Sequence, residues 1–229
     1  MALFSIADLH LSFTTEKPMD IYGGWWINHT ETIRNNWLQN IGEDDTVLIP
    51  GDISWALRLE DAKEDLSWLD ALPGKKIAVK GNHDLWWSSI SKLSKLSLDI
   101  NFIQNNFFQY EDYAICGTRG WICPGDKDFT IHDEKIYKRE VNRLMLSLNA
   151  AKSEGFRKFI AMLHFPPTNE NMDKSGFTEL LEEYGVEALV YGHLHNKEGF
   201  NKGIKGEVNG IKYYLTSCDA IECNPMKLL

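Results

Sequence analysis

Cysteine, basic clusters and long apolar runs are all scarce in this 229-residue chain, and each shortage excludes a class of protein. The four cysteines, Cys116, Cys123, Cys218 and Cys223, are too few and too scattered for a disulfide framework. No Cys-x-x-Cys pair supports a structural zinc site, so reduced thiols are expected. The longest apolar stretches, such as 47–50 and 160–163, fall far short of the roughly 20 residues a membrane span requires. With no basic leader and no extended apolar segment ahead of the first polar motif, a cytoplasmic protein without a membrane partner is expected. Lys and Arg total 24 against 33 Asp and Glu, a formal charge of −9, and no basic run offers a track for a phosphate backbone. Long nucleic acid is therefore not an expected partner. A small phosphorylated substrate, drawn to positive charge concentrated at one site, suits the balance better.

What is present is an alternation of short apolar runs with longer periodic segments, the pattern of βαβ units, and the length fits one domain over residues 1–229. Strands are expected over 3–7, 46–49, 76–79, 159–163 and 188–191. Helices are expected over 30–41, 58–72, 88–98, 134–153 and 178–184. Residues 100–117 lose helical period and read as two or three antiparallel strands, with a change of sheet nearby. Asn209-Gly210 predicts a hairpin turn within 207–216, because that dipeptide tolerates positive φ. Four long loops, 11–29, 118–133, 165–176 and 196–205, each follow a strand and are expected to rim one crevice at the carboxyl ends of the strands.

Five of the seven histidines stand in short polar motifs just after the apolar runs. These are Asp8-Leu9-His10, Gly51-Asp52, Gly81-Asn82-His83-Asp84, His164, and Gly192-His193-Leu194-His195. Singly they are weak: Gly-Asp is a common turn, and a lone His164 is equally a buried, hydrogen-bonded residue. Together, carboxylate, imidazole and amide delivered from several strand ends form the ligand set of a two-metal hydrolytic site. In the third motif a glycine permits close backbone approach, Asn82 offers a neutral oxygen, and His83 with Asp84 is the pair an acid–base catalyst needs.

The set, in this order and with intervals of 44, 30, 82 and 29 residues from Asp8 to Asp52, Asn82, His164 and His193, resembles the calcineurin-like metallophosphoesterase superfamily. The resemblance implies a four-layer α/β/β/α sandwich of two mixed β-sheets flanked by helices, with the metal site at the carboxyl ends of the strands. It implies that Asp8, His10, Asp52 and His195 hold one divalent transition metal, that Asp52, Asn82, His164 and His193 hold a second, and that Asp52 bridges them. Mixed nitrogen and oxygen ligands suit Mn, Fe, Co or Zn better than Ca. A hydroxide bridging the metals would attack the phosphorus, and His83 would protonate the leaving oxygen with Asp84 orienting it.

Departures from the family pattern narrow the chemistry. Gly51-Asp52 continues as Ile53-Ser54-Trp55-Ala56-Leu57, without the second Asp and the Arg of the protein Ser/Thr phosphatase branch, so protein dephosphorylation is disfavoured. Substrate phosphate would be bound by the metals, Asn82, His83 and Arg119, with Arg58 a weaker candidate. A small phosphodiester is somewhat preferred over a phosphomonoester. The doublets Trp25-Trp26 and Trp86-Trp87 are expected mainly to close the core, with one member of each able to stack on a substrate ring. His29 and His132 are expected to be structural or solvated. The competing reading is a non-catalytic interaction module on the same fold, which gains nothing from burying charged ligands.

Overall fold

In the computed structural model, which describes all of residues 1–229, two β-sheets pack face to face and helices cover both outer faces. The chain runs β1 (Leu3–Ser5), α1 (His29–Asn40), β2 (Thr46–Ile49), α2 (Lys63–Asp70), β3 (Lys75–Ala78), α3 (Ile90–Leu93) and β4 (Ile100–Phe102). It then crosses to the second sheet with β5 (Phe107–Tyr110), β6 (Tyr113–Thr118), α4 (Ile131–Ser153), β7 (Lys158–Leu163), α5 (Gly176–Tyr184) and β8 (Val186–Tyr191). A short α6 (Asn196–Phe200), the hairpin β9 (Gly206–Val208) and β10 (Ile211–Leu215), and β11 (Met226–Lys227) complete it.

The first sheet has the order β11-β1-β2-β3-β4 and the second β5-β6-β7-β8-β10-β9. Strands β1 to β4 are mutually parallel, as are β6, β7, β8 and β10, while β11, β5 and β9 run antiparallel at the edges. Both faces of each sheet are covered, so the strands read as continuous apolar runs rather than clean alternations. Period two still sorts their side chains. Leu3, Leu48 and Ile77 face Ile115, Ile160, Met162 and Val190 between the sheets. Phe4, Val47 and Ile49 turn outward onto Ile33 and Trp37 of α1 and Leu66 and Leu69 of α2. Ala114, Cys116, Ala161 and Leu163 turn outward onto Leu144 and Leu148 of α4 and Leu181 of α5. This is the four-layer sandwich of mixed sheets, and no helix is long and apolar enough to cross a membrane.

Several elements differ from the sequence expectation. β4 pairs parallel with β3, so only β5 and β6 are the antiparallel strands expected over 100–117. Strand direction depends on the crossover through α3, which the alternation of Phe and Ile does not encode. The helix expected over 58–72 shortens to α2 because 58–62 close as turns onto the Arg58 carbonyl. The one expected over 88–98 shrinks to α3 and a 3-10 turn. Five serines in that segment compete for backbone hydrogen bonds, and Ser97 ends it with φ 55°. α4 begins earlier than expected because Thr130 and Asp133 form a capping box, which puts His132 in the first helical turn rather than in a rim loop. His29 likewise opens α1, where its Nε2 lies 3.0 Å from the Leu9 carbonyl. The β9–β10 turn is the expected one, with Asn209 and Gly210 at φ 53° and 79°.

Candidate metal centre

Five of the parallel strands end on one edge of the sandwich, and their following residues converge there. β1 leads to Asp8 and His10, β2 to Asp52, β3 to Asn82 and His83, β7 to His164, and β8 to His193 and His195. Asp8, His10, Asp52 and His193 all adopt left-handed backbone conformations, with φ between 44° and 71°, which few non-glycine residues tolerate. The glycines of the motifs serve close approach: a Cβ on Gly81 would collide with the Asp52 carboxylate, and one on Gly192 with that of Asp8.

All seven residues expected as ligands lie together. Asp8, His10 and His195 form one group of mutually close donor atoms, and Asp8, Asp52 and His164 another. Asn82 Oδ1 sits 2.6 Å from His164 Nε2 and 3.0 Å from His193 Nδ1, and those two nitrogens are 3.2 Å apart. Asp52 Oδ2 lies 3.4 Å from His164 Nε2 and 3.9 Å from His10 Nε2, which in turn is 3.5 Å from His195 Nε2. Asp8 Oδ1 is 3.7 Å from His195 Nε2. His164 Nδ1 lies 3.0 Å from the Pro50 carbonyl and donates its proton there, which leaves the Nε2 lone pair aimed at Asn82 and Asp52. Donor atoms so gathered can hold a cation between them.

The electrostatics agree. Burial pushes the carboxyl of Asp8 up to about 7, with the Asp52 charge adding to it against His195, and that of Asp52 up to about 6 against the opposing pull of His83 and His195. Burial also drives His10 and His193 well below the usual histidine range and takes His164 to about 3, so these rings are neutral donors. Burial disfavours charge on His195 too, yet its hydrogen bond to Asp219, Nδ1 to Oδ1 at 2.9 Å, and the nearby carboxylates raise it to about 9. Buried carboxylates facing the neutral rings of His10, His164 and His193 match the nitrogen–oxygen donor set of divalent transition ions. Asp219, which fixes the orientation of His195 as outer partners of metal-bound histidines do, was not among the expected residues. It follows β10 in Ser217-Cys218-Asp219, a strand-end position with only an isolated carboxylate as its signal.

Two roles need correction. Asp84 does not orient the His83 ring. Its oxygens accept the backbone N–H groups of Asp52 (2.9 Å), Ile53 (2.9 Å), Ser54 (3.1 Å) and Gly81 (2.7 Å) and the Trp86 indole N–H (3.0 Å). It clamps the loop after β2 to the loop after β3, and its own carboxyl is raised by burial to about 7 with the N–H donors working against that. Asp84→Ala would orphan these donors and cost about 3–5 kcal/mol, lowering the melting temperature by roughly 6–20 °C. Calorimetry checks this, and an unchanged transition would contradict the clamp. Arg119 does not reach into the cluster. Its Nη2 pairs with Glu140 Oε1 at 3.5 Å and its guanidinium lies 4.4 Å from the Trp121 ring centre, although its main-chain oxygen accepts from His164 N at 2.9 Å. Arg58 stands exposed in the turn before α2.

His83 lies beside the cluster, its backbone N–H donating to Asp52 Oδ1 at 2.8 Å and its ring 4.2 Å from that of Trp55. Both rings line a cavity of about 660 Å³ with His10, His195, Trp26 and Phe200. Trp55 also stacks on His10, with centroids 4.8 Å apart and planes at 19°. Nothing in the sequence singles Trp55 out from the other tryptophans. Of the doublets, Trp26 walls this cavity 5.4 Å from His195, Trp25 lies at its mouth, Trp86 is buried core, and Trp87 faces a different cavity. The four long loops also divide. Those at 11–29 and 196–205 line the aromatic cavity, while those at 118–133 and 165–176 line a smaller one of about 190 Å³ against His193. The expected single crevice is thus two recesses on either side of the cluster. The four cysteines are free and buried.

The sequence profile of the calcineurin-like phosphoesterase family matches residues 1–197. A comparison with curated proteins finds no match. Among solved structures, a protein of unknown function from Aquifex aeolicus shares the fold with a TM-score of 0.54 at 19% identity, over 99% of this chain and 95% of the other. A phosphopantetheinyl hydrolase from Mycobacterium tuberculosis has a TM-score of 0.60 at 15% identity, over 100% of this chain and 95% of its own.

Proposed function

The chain belongs to the calcineurin-like phosphoesterase family, and from that premise we propose that it is a metal-dependent hydrolase of small phosphate esters. The observation that carries the proposal is the convergence of Asn82 Oδ1, His164 Nε2, His193 Nδ1 and Asp52 Oδ2, oxygen and nitrogen donors each within 2.6–3.4 Å of another at the strand ends. One divalent transition ion (Mn, Fe, Zn or Co) would be held by Asp8, His10, Asp52 and His195, and a second by Asp52, Asn82, His164 and His193. Such ions, when bound, polarise phosphoryl oxygens and make water nucleophilic near neutral pH.

The residues around them supply the rest. Asp84 holds the Asp52 and Asn82 loops at a fixed separation through their backbone N–H groups. Asp219 turns His195 so that Nε2 faces Asp8. Trp26 and Trp55 flank His10 and keep water from that side, offering faces to an organic group. His83, on the wall of the same cavity, delivers a proton to the leaving oxygen. Recesses on both sides of the cluster leave room for two ester arms, which favours a phosphodiester. The alternative, a non-catalytic module, leaves the burial of Asp8 and Asp52 without compensation.

Comparing 4-nitrophenyl phosphate with bis(4-nitrophenyl) phosphate tests the reading. Hydrolysis of both is expected, the diester faster, and both abolished by chelator. A metal-loaded protein that cleaves neither would favour the module.

A further inference from the structure

A second polar cavity, of about 360 Å³, opens beside the segment that leads into Asn82, and among its lining residues are Lys80, Thr118, Arg119, Arg139, Glu140 and Arg143. Four cationic side chains thus meet one carboxylate, in a chain whose net charge is −9. Glu140 is fully buried on α4 and serves as the organiser. Its Oε2 accepts from Thr118 Oγ1 at 2.6 Å, and its Oε1 lies 2.9 Å from Arg143 Nη1 and 3.5 Å from both Arg139 Nε and Arg119 Nη2. One carboxylate oxygen cannot satisfy three guanidiniums, each with five N–H donors, and Arg119 Nε is buried with no partner at all. Lys80 lines the same cavity, half-buried.

The cavity shares its wall with the candidate metal centre. Lys80 precedes Gly81-Asn82 in the chain, and the Arg119 carbonyl holds the backbone N–H of His164. Planar guanidiniums with spare donors match phosphate oxygens in a way lone ammonium groups do not. The volume falls within the range of small-ligand sites. We propose that this cavity binds a second phosphate group of the substrate, so that the preferred substrates carry one phosphate at the metals and another, on a short linker, among Lys80, Arg119, Arg139 and Arg143. The inference rests on the phosphoesterase reading of the metal centre and deepens it to a substrate class, bisphosphorylated small molecules.

The test uses the protein as purified and the double variant Arg139→Ala/Arg143→Ala. Both side chains are partly exposed, at 54% and 38%, so their loss spares the core. Calorimetry at constant ionic strength follows binding of methylenebisphosphonate, which cannot be hydrolysed. Kinetics give the ratio of kcat/KM for adenosine 3′,5′-bisphosphate over adenosine 3′-monophosphate. The double variant is expected to lose roughly 10-fold or more in bisphosphonate affinity and in the kinetic ratio alike. Wild-type protein that fails to bind the bisphosphonate, or a variant that binds it equally well, overturns the proposal. So does equal slowing of both substrates, or a constant ratio despite lost binding, since the cavity would then hold a free anion only. If neither substrate is hydrolysed while bisphosphonate binding is lost in the variant, the phosphoesterase reading fails and the anion cavity stands on its own.

Discussion

Asp52→Ala is expected to abolish metal retention and to lower kcat/KM by at least about 10²- to 10³-fold. The two oxygens of Asp52 have different tasks. Oδ1 accepts the backbone N–H of His83 at 2.8 Å, and Oδ2 faces both His164 and His10, on the two sides of the cluster. Asp8 also belongs to both groups of close donor atoms, but Asp52 Oδ2 is the carboxylate oxygen that lies 3.4 Å from His164 Nε2 and 3.9 Å from His10 Nε2, so alanine would leave both candidate ion positions short of an anionic donor. Metal content measured by mass spectrometry alongside turnover distinguishes this from unfolding, with circular dichroism of the variant expected to match the parent. Full activity and full metal content in Asp52→Ala would remove the basis for a bridged pair of ions.

His83→Ala should give the opposite combination: metal retained, hydrolysis slowed by about 10²- to 10⁴-fold where the leaving alcohol is a poor one, and little change with a 4-nitrophenolate leaving group. His83 stands outside both groups of close donor atoms, its ring centroid 5.7 Å from that of His10, and it lines the aromatic cavity that would receive the ester's organic part. A side chain there can reach a leaving oxygen without contributing to ion binding. Since Asp84 is committed to five N–H groups of the surrounding loops, the ring is held by its packing on Trp55 and by the backbone bond to Asp52. Equal losses on good and poor leaving groups would assign His83 a binding role instead of proton transfer.

The contrast between Asp84 and His164 shows what a sequence can carry. His164 follows an uninterrupted apolar strand, and so do Asp8, Asp52 and the Gly192-His193-Leu194-His195 motif. Parallel strands in a covered sheet all end on one edge, so ligating residues at strand ends in the sequence become neighbours in space. The same alternation made the βαβ units legible, while the two-sheet sandwich was implied by the family resemblance of the motifs. Asp84 belongs to the same motif as Asn82, yet which way its carboxylate turns depends on N–H groups from a loop some thirty residues earlier, and no local pattern encodes that. Asp219 and Trp55 were invisible for a related reason, because each acquires its place only from a histidine distant in sequence. The basic cavity is the extreme case. Lys80 follows β3, Arg119 follows β6 and Arg139 lies on α4, so a chain with no basic run still builds a concentrated positive site. The parallel pairing of β4 and the early start of α4 at Thr130 likewise follow from crossover path and capping geometry rather than from periodicity.

The most direct test is the metal content of the chain purified without chelator, measured together with its phosphoesterase activity before and after chelation. The account predicts up to two transition-metal ions per chain, activity lost as the ions are removed, and recovery when Mn, Fe, Zn or Co is restored. Full activity in protein shown to be free of metal would contradict it.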